Sequence, residues 1–171
     1  MKNRISQWLG NWSNKGDASA LLKVLNPIGD RLSSQSLNSA GLAIKAGGSA
    51  IVKTGASAYY AVAGGILVTK AAATDMAALV GTVTADAFNV YCFFCNSAGT
   101  LSSQMGTEGA TLAAVKFPPI PEGSALLGFL VINPTGTGDF VGGTTPLDDA
   151  TVVPNAAYVN VQGAFDPTVL L

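Results

Sequence analysis

The chain has 171 residues, room for one domain with an appended arm, and 10 acidic against 9 basic residues leave a formal charge of −1. So small a net charge argues against strong global attraction to nucleic acid or anionic membrane, and 49% hydrophobic with only 11% charged residues excludes disorder along the whole length. Histidine is absent, which removes Ser-His-Asp and Cys-His nucleophiles and His-ligated metals and leaves carboxylate chemistry, lysine chemistry or none.

Residues 1–35 read as an arm and residues 36–171 as a β-rich body. In the arm, Trp8, Leu9, Trp12, Leu21, Leu22, Val24 and Leu25 lie among polar residues, with Gly10 and Gly16 as breaks. Asp17 is placed to cap a short helix from Ala18 to Leu25, which Asn26-Pro27 is expected to end. Such a segment is too short to fold alone, so Trp8, Leu9, Trp12, Leu21 and Leu22 are expected to dock it on the body or on a neighbour, with Lys2, Arg4 and Lys15 steering the approach. The polar residues Gln7, Asn11, Ser13 and Asn14 interrupt any export-type apolar run, and Lys70 and Asp75 interrupt Ala56–Val80. No membrane partner and folding in a reducing cytoplasm are expected.

From Leu37 onward short strands alternate with Gly, Pro, Asn and Asp. Gly41–Ala46 and Ser49–Thr54 flank Gly47-Gly48, and Tyr59–Val62 and Ile66–Lys70 flank Gly64-Gly65 as a hairpin would. Thr74 is expected to cap a helical turn through Leu79. Ala87–Asn96 is the most hydrophobic strand, followed by Ala110–Phe117, a Pro-rich turn from Pro118 to Gly123, and a buried strand from Leu126 to Asn133. Thr151–Val153 and Ala157–Val161 close a pattern that predicts an all-β sandwich or jelly roll.

Chemistry-bearing motifs are few. Cys92 and Cys95 have C-x-x-C spacing but fall in an apolar strand, where residues three apart point to opposite faces. Reduced, metal-free thiols are expected. The Gly-rich stretch Asn133–Gly143 fails as a phosphate loop, because Val141 stands where G-x-G-x-x-G needs glycine and no G-K-[ST] follows. Asp139, Asp148, Asp149 and Asp166 match no Ca²⁺ loop and suit turns. Tyr59-Tyr60 and the Trp pair lack the interleaved basic run of a nucleic-acid platform. No catalytic residue, metal or cofactor is assigned. Charge is nonetheless split: residues 1–70 hold eight basic and two acidic side chains, and residues 71–171 hold Lys116 against eight acids. A subunit built this way has a basic part that can seek an acidic surface, copies of itself included.

Several phrases resemble a known group of proteins. They are Ala40–Ala50 (AGLAIKAGGSA), Gly65–Lys70 (GILVTK), Phe117–Gly123 (FPPIPEG), Asn133–Asp149 and Val152–Leu171. The body they span resembles structural proteins of tailed-phage virions, found among head-decoration (cement) and fibre proteins. The resemblance implies a non-enzymatic, β-rich subunit, often trimeric, that is made in the host cytoplasm and binds the major capsid protein to stabilise the head shell. A tail, baseplate or receptor-binding fibre module is the alternative with the same architecture. Residues 1–35 carry none of the resemblance.

Overall fold

The computed structural model describes residues 15–134 and 137–167. A helix, α1 (Lys15–Ser33), precedes β1 (Gln35–Ser36), β2 (Ala43–Ile44), β3 (Val52–Lys53), β4 (Tyr59–Ala63), β5 (Ile66–Lys70) and β6 (Thr82–Val83). Then come β7 (Asn89–Asn96), β8 (Leu101–Met105), a 3-10 turn at Leu112–Ala114, β9 (Ser124–Ile132), β10 (Phe140–Val141) and β11 (Ala157–Asn160). The strands form a three-stranded sheet β1-β4-β5, a four-stranded sheet β11-β9-β7-β8, and the two-stranded ribbons β2-β3 and β6-β10, every pair antiparallel. The body is all-β and sandwich-like.

Its core follows from strand alternation. In β4, Tyr59, Ala61 and Ala63 point inward, while Tyr60 points out. In β7, Tyr91, Phe93 and Cys95 join them in one buried cluster, together with Ala125, Leu127, Leu130 and Ile132 of β9. Residues 127 and 130 can share a face only because the β7–β9 register shifts between Phe93 and Phe94, leaving Leu127 as an extra residue. That bulge exchanges inward for outward positions along β9.

The opposite face of the four-stranded sheet is covered as well. Cys92, Phe94, Leu126 and Val161 form a second buried cluster, onto which Phe117, Ile120, Phe129 and Phe165 pack. Phe117 meets Phe129 edge-on, with ring centroids 5.0 Å apart. The continuous apolar runs of β7 and β9 thus reflect burial on both faces.

The β4–β5 hairpin forms as the Gly64-Gly65 signal predicts, and both glycines take positive φ, 56° and 78°. Four local expectations are corrected. The helix does not stop at Asn26-Pro27 but continues to Ser33. Pro27 deprives it of one backbone donor, and the apolar period Leu21, Leu25, Ile28 and Leu32 continues across the gap. Thr74–Leu79 is extended, not helical, because Thr54 N–H donates to the Thr74 carbonyl and Met76 N–H to that of Val52. Ala110–Phe117 holds the 3-10 turn in place of a strand, and Thr151–Val153 is a turn around Asp149, whose Oδ1 accepts from the N–H groups of Thr151 and Val152. In neither of the last two cases does the segment pair along a sheet: Lys116 bonds back to Thr107, Val153 N–H donates to the Asp149 carbonyl, and the Thr151 carbonyl accepts from Thr137 N–H.

Candidate functional site

Among the sequence-predicted anchors, Trp8, Leu9 and Trp12 lie outside the described residues, as do Lys2 and Arg4. Lys15 opens α1, Leu21 is half-buried and Leu22 is exposed. The structure adds exposed apolar residues that the sequence reading did not assign as anchors. Leu25, Ile28 and Leu32 of α1 are also exposed, as are Leu37, Tyr60, Ile66 and Leu67 at the three-stranded sheet. The signal for Ile28 and Leu32 was the four-three-four spacing from Leu21, hidden by reading Pro27 as a stop.

The carboxylates are engaged in shaping loops. Asp148 accepts from Gly48 N–H through both oxygens, at 3.1 and 3.0 Å, and Asp139 Oδ1 accepts from Ala85 N–H at 2.8 Å. Glu108 takes Thr84 N–H on one oxygen at 2.8 Å and the Thr84 hydroxyl on the other at 3.0 Å. Lys45 pairs with Asp75 across the β2–β3 ribbon. Among the described residues no three Cys, Asp or Glu side chains gather into a metal-binding group. Tyr59 is buried and Tyr60 exposed, so the two rings cannot present one stacking surface.

The Gly-rich stretch is a packing element. Phe140 is buried in β10, where it meets Tyr91 edge-on at 6.0 Å, and Gly142 N–H donates to the Gly81 carbonyl. Among the described residues, two of the open clefts on the body each have a volume of about 370 Å³. One is lined by Thr84, Asp86, Glu108 and Gly109, the other by Ile44, Leu147, Asp148, Pro154 and Tyr158. In the first, Thr84 already holds both Glu108 oxygens; in the second, Gly48 N–H already holds Asp148. No helix among the described residues is long and apolar enough to cross a membrane.

Cys92 and Cys95 are free, buried thiols on opposite faces of β7, one in each core cluster. Burial pushes the Cys92 thiol up to about 12 and raises Cys95 as well. Tyr91 is likewise pushed up to about 12, chiefly by burial and then by the nearby Glu108 charge. These groups keep their protons in the folded state at pH values where the unfolded chain loses them. Stability is therefore expected to hold below about pH 9, where unfolded thiols begin to ionise, and to fall as pH rises toward about 12. The slope is at most about 1.4 kcal/mol per pH unit for each group. Urea unfolding midpoints measured from pH 7 to 11 check this, and a flat profile above pH 9 would contradict it.

Neither a family model, nor a curated protein, nor a solved structure matches the chain.

Proposed function

We propose that the protein is a non-enzymatic structural subunit of a tailed-phage virion, a head-decoration protein that binds the capsid shell and copies of itself, as a trimer. The observation that carries this reading is the outward apolar surface of α1 and the three-stranded sheet, on a body whose observed carboxylate contacts shape its own loops. Low charge content favours such contacts, because few ions must be stripped of water when subunits meet. The resemblance of the body to decoration and fibre proteins supplies the virion context. Each contact can be weak, since many copies on a repeating lattice act together.

The full-length protein is expected to bind undecorated heads and to be present in purified virions at a lattice-scale copy number. Changing Trp8 and Trp12 together to alanine is expected to weaken binding about tenfold or more, equivalent to about 1.4 kcal/mol, with little change between low and high salt. Quantitative gels of purified particles and sedimentation with empty heads measure both. Copy numbers matching the few subunits of a tail or baseplate would replace the decoration reading with the fibre one. Reproducible glycan or ester hydrolysis lost on Asp148→Asn would overturn the non-enzymatic assignment.

A further inference from the structure

We propose that the apolar stripe of α1 and the outer face of the three-stranded sheet form one surface through which a second copy of this chain binds. This deepens the self-association part of the reading above and rests on it. Leu21, Leu25, Ile28 and Leu32 are four, three and four residues apart, the spacing of the seam along which a helix packs against another helix. Leu25, Ile28 and Leu32 are exposed along that stripe, with Leu22 exposed beside it.

The sheet continues the surface. Leu37 N–H donates to the Tyr60 carbonyl at 2.9 Å, and Leu67 pairs with Val62 one step along the same outward face. Ile66 is exposed at the turn but pairs with the inward-pointing Ala63, so it lies on the other face and is not part of this surface. The two patches adjoin at the turn: the Ser33 carbonyl, which ends the helix, accepts from Gly65 N–H at 2.8 Å, and Ser34 Oγ accepts from Gly64 N–H at 3.0 Å. Leu32 is thereby brought beside the turn that leads to Leu67.

Size and charge select the occupant. Leaving out Ile66, the seven exposed residues of the two patches are each between 44% and 62% exposed. Together they present on the order of 700 Å², close to what one partner contributes to a standard interface. A typical monomer's largest apolar patch is about 300–600 Å². From Leu21 to Leu32 the charged residues are Lys23, Asp30 and Arg31, two basic and one acidic. A segment with so small a net charge meets its own copy without strong like-charge repulsion, and it offers little to a strongly charged partner. An identical surface on a second copy satisfies both the seam and the area.

The test is sedimentation equilibrium of the full-length chain. The wild type is expected to be oligomeric at micromolar concentration. Leu25→Glu combined with Leu32→Glu, and separately Leu67→Glu, is expected to weaken association at least about tenfold while leaving circular dichroism unchanged. Val80→Glu, at a residue 76% exposed just before β6, is expected to behave as wild type. As a milder probe, a bis-maleimide is expected to join copies of Leu25→Cys and not of Val80→Cys. A wild type that stays monomeric overturns self-association altogether. An oligomer indifferent to the helix and hairpin variants, with no crosslinking through position 25, overturns this surface alone. Head binding measured on the dissociated variants reports on the decoration reading separately.

Discussion

Replacing Gly128 by alanine is expected to destabilise the protein by about 3 kcal/mol or more, at the upper end of what overpacking costs. A Cβ at this position would lie 2.3 Å from the Val159 carbonyl oxygen and 2.7 Å from Leu42 Cδ1. The leucine can rotate, but the carbonyl belongs to the backbone of β11, which pairs with β9 through Val159 and Asn160. Relief requires β11 to move off the sheet, and that movement strains the 2.8 Å bond from Leu42 N–H to Asn160 Oδ1. Gly65→Ala provides the comparison. Gly65 has a positive φ of 78° but open space where a Cβ would go, so its cost is limited to the left-handed backbone penalty of about 1–2 kcal/mol. Urea unfolding of both variants separates the effects; equal losses would show that β11 yields easily.

Phe93→Ala is expected to cost about 3–5 kcal/mol, the range for emptying a fully buried aromatic site. Phe93 sits on a central strand, opposite Ser103 of β8 on one side and Gly128 of β9 on the other. Ladders on both edges hold its backbone in place, so the surrounding core cannot collapse into the void. For a chain of this length the loss corresponds to a melting temperature lower by on the order of 10 °C. Leu112→Ala, on the 3-10 turn and 53% exposed, is expected to change stability by no more than about 0.5 kcal/mol. Calorimetry of the two variants checks the contrast, and a loss below about 1.5 kcal/mol for Phe93→Ala would count against the packing described.

Where the sequence speaks through contiguous residues, it could be read. The Gly64-Gly65 hairpin and the apolar runs of β7 and β9 carry their own signals, turn chemistry in one case and uninterrupted hydrophobicity in the other. The two-residue strands β6 and β10 could not be read, because Val83 and Phe140 acquire strand geometry from each other across more than fifty residues. Ala110–Phe117 is apolar enough for a strand, yet its Thr107–Lys116 pairing closes a local loop. The candidate surface was half legible. Leu21 and Leu22 stood out as an apolar pair in a segment without a core of its own, whereas the wholly apolar run of Tyr59–Ala63 gave no hint that Tyr60 faces outward. Only the pairing with β5 and the core on the other side decide that face.

The two cysteines of β7 have a use that follows from their placement. Each thiol is sealed under a different covering: Cys95 beneath the three-stranded sheet, Cys92 beneath the segments that carry Phe117, Ile120 and Phe165. A thiol reagent can reach either one only while its own covering is lifted, so labelling rates report the opening of each layer separately. Mass spectrometry of pulse-labelled protein then yields two opening free energies from a single native chain, with no probe introduced. A faster rate at Cys92 would identify the loop layer as the part that loosens first, and a common rate would mean that both layers open only with the whole fold.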